Sequence, residues 1–232
     1  MKKMLYIVLI LAVSLALMGS SQADIGAIRF KDFPASSSLK SSLELQSPKQ
    51  IGDIFLLPVE PFDESEAAKI ISRIDHLPSA LLTKIVKENI QIKLFSGRLT
   101  ENPTASHLAG IIPRGYKSGL TWDEVPGMGG GKTVLVKIGF SEKGKGHGTI
   151  NLELHELAHS IDRYVYDGIR FNQAFQSIWK EEREKLFPGH AYFATFPEEY
   201  FAEVFALYYL DAASRSFLYQ HAPKSFSFIK NL

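Results

Sequence analysis

The apolar positions Ile70, Ile71 and Ile74 share one face of a helix that opens at Asp63, with Asp63 placed as N-cap and Glu66 three residues on. A shorter helix follows over Ser79 to Glu88, and the alternation from Ile90 to Phe95 gives a strand. Thr133 to Ile138 is β-branched and bounded by glycines, which gives a second strand. Between the two strands, residues 96–131 are rich in Gly and Pro and carry little periodicity, and loops of that length in a compact domain often carry function. From Thr149 onward the pattern is helical: about Ile150 to Asp167, Ile169 to Leu186, Pro197 to Leu210, and short helices to the end. The predicted class is α+β, a small N-terminal sheet packed on a mainly helical C-terminal half.

Upstream, Lys2 and Lys3 precede an apolar run from Met4 to Met18 and small residues ending Ser21-Gln22-Ala23. Residues 1–23 therefore read as a signal peptide cleaved after Ala23, because the run falls short of the roughly 20 residues that span a bilayer. Residues 24–50, rich in Ser and Lys, read as a flexible segment, leaving 51–232 as one domain. The expected mature protein is secreted, free of the membrane and monomeric. With 26 Lys and Arg against 25 Asp and Glu, the formal charge of +1 offers no field to recruit nucleic acid. The absence of cysteine excludes a disulfide framework and a lipidated cysteine.

Chemistry enters with His155-Glu156-Leu157-Ala158-His159. Histidines four apart on a helix project from one face a turn apart, the arrangement that chelation of a single ion needs, and imidazole nitrogens suit zinc. Glu156 stands beside them, placed to reach a water on that ion. A catalytic zinc takes three protein ligands and leaves one position open. The helix Pro197 to Leu207 offers Glu199 and Glu203, four apart on one face, so that one carboxylate can complete the ligand set while the other accepts the free ring N–H of a ligand histidine. Spacing does not decide which does which.

Three blocks, Thr121 to Gly127, Gly146 to Asp162 and Tyr192 to Leu207, together with Ala222 to Ile229, resemble the catalytic domain of anthrax toxin lethal factor and the related secreted Pro-Pro endopeptidases. The resemblance implies a gluzincin-like zinc metallopeptidase domain holding one Zn2+ per chain, with His155, His159 and Glu199 as ligands and Glu156 as general base. It leaves Glu203 in the supporting role. It also gives meaning to Tyr192, seven residues before the ligand glutamate, as a weak ligand or a hydrogen-bond donor to the oxyanion. The implied activity is hydrolysis of extended, proline-rich peptides, with substrate added as a further strand along Thr133 to Ile138 through Val134 and Val136. Trp122 is either a flat wall for proline or a core residue. The Pro-Pro enzymes carry a lysine two residues before this tryptophan, where Leu120 stands here. Two other readings stay open: a zinc hydrolase of non-peptide amides, and a secreted toxin-like binding module without turnover.

Other signals are discounted. Gly129-Gly130-Gly131-Lys132-Thr133 suggests a phosphate loop, but Pro126 occupies the first glycine's place and a strand follows instead of a helix. His147 reads as solvated, and His76, His107, His190 and His221 lack partner spacing. The charged run Lys180 to Lys185 reads as a solvated helix face.

Overall fold

The computed structural model describes residues 26–113 and 119–232; the expected signal peptide lies outside them. Five strands form one mixed sheet: β1 (Ala27–Arg29), β2 (Phe55–Pro58), β3 (Gln91–Phe95), β4 (Gly127–Met128) and β5 (Thr133–Lys137), in the order β1-β2-β3-β5-β4. The pairs β2–β3 and β3–β5 are parallel, whereas β1–β2 and β4–β5 are antiparallel. The register sets Ile92 beside Val134 and Leu94 beside Val136, so the period-2 alternation sends these four side chains, with Phe55 and Leu57, into the main core. Phe95 and Leu135 point the other way, into a smaller cluster with Leu99 and Ala105 that lies under Trp122 and Met128.

Four helices accompany the first strands: α1 (Ser38–Ser41), α2 (Pro48–Ile54), α3 (Glu64–Asp75) and α4 (Ser79–Lys87). The N-cap of α3 is the expected one, with the Asp63 carboxylate accepting from Glu66 N at 3.0 Å. The expectation of a flexible 24–50 segment is corrected from residue 26 onward. Leu39 is fully buried and Phe30 nearly so, and the serines act as caps and turns: Ser37 accepts from Lys40 N. Two carboxylates of α3 fasten the segment from outside. Glu64 accepts from Ser38 Oγ and Leu39 N, and buried Asp75 accepts from Gln46 N and Ser47 N at the start of α2.

The helical half contains α5 (Leu152–Ser160), α6 (Gln173–Leu186), α7 (Ala191–Thr195), α8 (Pro197–Leu210), α9 (Ala212–His221) and α10 (Pro223–Lys230). The helix expected through Asp167 loses regularity after Ser160, where Ile161–Val165 widens into a π turn. The chain then reverses at Gly168, whose φ of 88° suits glycine. Buried Asp162 holds this reversal together by accepting from the Arg170 backbone at 3.0 Å and from its guanidinium at 2.6 Å. Asn172 then restarts the helix as N-cap of α6.

Along α8, every residue from Tyr200 to Leu207 is buried, so the helix is a central pillar rather than an amphipathic cover. Each of its large apolar side chains contributes roughly 1.5–3 kcal/mol on burial, which fixes the axis that carries Glu199 and Glu203. The charged run on α6 is only partly a solvated face. Glu182 is buried, and its carboxylate accepts from Lys224 N and Ser225 N at 2.9 and 2.8 Å, capping α10. Among the described residues, no helix is long and apolar enough to cross a membrane.

Candidate metal centre

The site is built where α5 lies against α8. Asn151 caps α5 by accepting from Leu154 N at 3.0 Å, and one turn later His155 and His159 stack edge to face with ring centroids 4.9 Å apart. Glu199, in the first turn of α8, brings Oε2 to 3.3 Å from His155 Nε2 and 3.4 Å from His159 Nε2. The two Nε2 atoms are 3.2 Å apart. One candidate ligand atom from each of the three lies within 4.8 Å of the other two, close enough together to hold a metal ion.

Behind the trio, Glu203 holds the Nδ1 side of His155 at 3.1 Å through Oε2, while its Oε1 accepts from Ile150 N at 2.8 Å. Both residues are nearly inaccessible to solvent. A carboxylate on Nδ1 holds a proton there, so Nε2, facing the trio, is the nitrogen at which a proton and a metal ion would compete, the orientation that metal-bound histidines use. The electrostatics agree. Burial pushes the His155 pKa down, but hydrogen bonds to Glu199 and Glu203 outweigh it and raise the pKa to about 10. Burial pushes Glu199 up, and its hydrogen bonds to His155 and His159 outweigh that and hold it well below the usual carboxylate range. Two buried carboxylates around two imidazoles thus demand a positive charge among them, and two nitrogens with one carboxylate oxygen match the donor set of a zinc site with an open position.

A cavity of about 740 Å³ opens over these residues. Glu156, His155, His159, Glu199 and Tyr192 all line it, and so does Trp122. Trp122 packs against the Phe95–Leu135 cluster and also lines the cavity. Asp123 ties down the neighbouring loop, accepting from Thr100 Oγ1, from Gly110 N at 2.8 Å and from Thr121 Oγ1 at 2.8 Å. Tyr192 packs against the rings of Phe193 and Phe196.

Val134 and Val136 are not part of this surface. Both are fully buried in the main core, so neither valine side chain is open to a ligand, and β4 covers the edge of β5 at Leu135 and Val136. The terminal strand is β4, and Gly127, Met128, Gly129 and Gly130 line the cavity instead. The glycines there are a packing requirement. A Cβ on Gly129 would lie 2.0 Å from the carbonyl oxygen of Glu156, and one on Gly127 would lie 3.0 Å from Glu156 Cγ. Ser160 Oγ accepts from Gly130 N at 3.1 Å and donates to Gly131 O at 2.8 Å, stitching the loop to the end of α5.

Sequence reasoning missed several lining residues: His190, Arg163, Arg170 and Glu198. His147 also lines the cavity, contrary to the solvated reading. It is half-buried, its Nε2–H donates to Phe140 O at 2.7 Å, and its Nδ1 accepts from Thr149 Oγ1 at 2.7 Å; burial lowers its pKa. His190 stacks on Phe193. A clue was present for Arg163 and Arg170, each of which follows the histidine helix within a few turns, but polarity alone did not indicate which way they faced.

Comparison with known proteins places this geometry. The family described as anthrax toxin lethal factor, N- and C-terminal domain, matches residues 43–232. A Pro-Pro endopeptidase of Clostridioides difficile (strain 630) is 40% identical over 201 residues, covering 86% of this chain and 90% of that protein. A Pro-Pro endopeptidase of Paenibacillus alvei is 37% identical over 188 residues, covering 81% of this chain and 86% of that protein. The solved structure of the Pro-Pro endopeptidase PPEP-2 from Paenibacillus alvei superposes with a TM-score of 0.75 at 37% identity, covering 78% of this chain and 98% of that one. The match across most of the chain, over both the sheet and the helices that carry the trio, shows that this protein belongs to the anthrax toxin lethal factor N- and C-terminal domain family.

Proposed function

We propose that the chain is an exported zinc endopeptidase that hydrolyses Pro-Pro bonds in extended peptides, with His155, His159 and Glu199 holding one zinc ion. The observation that carries this reading is the convergence of these three ligand groups beside Glu156 within one cavity. The kinship to two proteins named Pro-Pro endopeptidases supports the choice of bond. Export rests on the Met1 to Ala23 pattern.

Zinc in such a site acts as a Lewis acid toward a carbonyl and lowers the pKa of water. Glu156 serves as the base that takes a proton from the attacking water and returns it to the departing amine. The Tyr192 hydroxyl donates to the negative oxygen of the tetrahedral species, and one well-placed donor of this kind contributes about 3 kcal/mol. Glu203 keeps His155 in the correct tautomer. Substrate lies extended beside β4, the terminal strand, which supplies main-chain partners without side chains in the way at Gly127 and Gly129. Trp122, Val125, Pro126 and Met128 give the cavity an apolar wall suited to proline rings. Leu120 is 44% exposed and lies outside that lining, so the missing lysine does not empty the wall itself.

The test is a peptide series read by mass spectrometry, differing only in Pro-Pro, Pro-Ala, Ala-Pro or Ala-Ala at the centre. Cleavage between the two prolines, lost in the other three, is expected. Cleavage of all four alike would remove the Pro-Pro assignment, and hydrolysis of small amides alone would favour the non-peptide reading.

A further inference from the structure

Among the described residues lining the cavity, one arginine has no carboxylate within ion-pair distance. Arg170 is paired with buried Asp162. Arg163, seven residues earlier, makes no ion pair among the described residues: its guanidinium donates to Gly130 O at 3.1 Å and lies over the Tyr164 ring, 5.3 Å from the centroid. The hydrogen bond and the ring fix the direction of the guanidinium, while its remaining N–H groups stay available, since this side chain is exposed and lines the cavity. Asp162, next to it in the chain, is engaged by Arg170, and Glu199 by the two histidines.

We infer that Arg163 is a specificity-determining residue, selecting substrates that carry an Asp or Glu side chain at the position running past Gly130. The inference rests on the endopeptidase reading and deepens it. A planar fork held by a backbone carbonyl on one edge presents its other edge to a carboxylate with little further loss of freedom. Its fastening to Gly130 also links charge recognition to the loop that borders the substrate's backbone.

The experiment uses a neutral Pro-Pro peptide in which a single Glu, Gln or Lys is walked through the three positions on either side of the prolines. It compares the parent with Arg163→Lys, Arg163→Ala and Arg163→Glu. At one position the parent should prefer Glu over Gln by about fivefold in kcat/KM, the size that an exposed ion pair supports, and the preference should shrink in high salt. Arg163→Lys should keep the order Glu, Gln, Lys; Arg163→Ala should flatten it; and Arg163→Glu should reverse it. Equal loss on all peptides in Arg163→Ala, with the charge order intact, would show that Arg163 only staples the loop and would overturn the inference while leaving the endopeptidase standing. If no peptide is cut, the endopeptidase reading fails, and binding of fluorescently labelled forms of these peptides to the same variants decides on Arg163 alone, by whether the charge order follows the substitution.

Discussion

Replacing Glu203 by Gln removes one charge and changes almost no volume, which makes it a sharp probe of how the site is organised. The two oxygens of Glu203 serve two donors, Ile150 N at 2.8 Å and His155 Nδ1 at 3.1 Å, and the group is almost wholly buried. Glutamine has a single acceptor oxygen. If that oxygen faces Nδ1, the amide NH2 confronts the Ile150 N–H and leaves a buried donor unpaired, at a cost of about 1–3 kcal/mol. If it faces Ile150, the NH2 drives Nδ1 to become an acceptor and moves the imidazole proton to Nε2, the atom that faces His159 and Glu199. Both orientations penalise the metal-ready form. At 1.4 kcal/mol per tenfold, zinc affinity should weaken by roughly 5- to 150-fold, in keeping with the 10- to 100-fold typical of such supporting partners. Competition with a chromophoric chelator measures the affinity, with circular dichroism confirming an unchanged fold. Zinc affinity equal to the parent's, with the fold intact, would refute the argument that Glu203 sets the tautomer of His155.

Gly129→Ala would place a methyl 2.0 Å from the Glu156 carbonyl oxygen, so the loop or α5 must shift; thermal unfolding should show a loss of about 1–3 kcal/mol, and an unchanged Tm would count against the close packing. The buried carboxylate of Glu153, at the start of α5, is paired with Arg73 of α3. Arg73→Met should therefore cost about 3–5 kcal/mol in urea denaturation, and the double change Arg73→Met with Glu153→Leu should recover most of it. Asp123 is held at a pKa of about 2, below its ordinary 3.8, by hydrogen bonds from Thr100, Gly110 and Thr121. A carboxyl depressed by folding stabilises fully above its unfolded pKa and loses that contribution as the pH falls through its folded one. The Trp122 emission difference between the parent and Asp123→Asn should accordingly persist at neutral pH and close between about pH 4 and 2; a difference that vanished near neutrality would contradict the assignment.

The helical half was legible because its signals are local. Pro197 to Leu210 was predicted with the bounds it has, since proline opens it and apolar residues fill it. The candidate metal trio was legible only in part from local signals: His155 and His159 are a helical turn apart, but spacing left Glu199 and Glu203 as equal candidates and the family resemblance chose between them. What remained hidden depended on contacts distant in the chain. The strand Phe55–Pro58 follows α2 without a break and is apolar throughout, so no alternation marks it. The serine-rich stretch before it has the composition of a linker, yet carboxylates from α3, more than 20 residues away, fasten it down. Val134 and Val136 have the pattern of an edge strand as much as of an inner one, and only β4, two residues long, reveals that the edge is covered. Trp122 packs against a small core cluster and also lines the cavity, two positions that sequence treats as alternatives.

The central claim is tested most directly by purified Glu156→Ala protein, in which the three proposed metal ligands are untouched. Elemental analysis should find one zinc per chain in both parent and variant, and a Pro-Pro peptide should be cut by the parent while the variant loses all but a trace of that rate. A variant that cleaves as fast as the parent, or a parent that holds no zinc and still cleaves, would contradict the account.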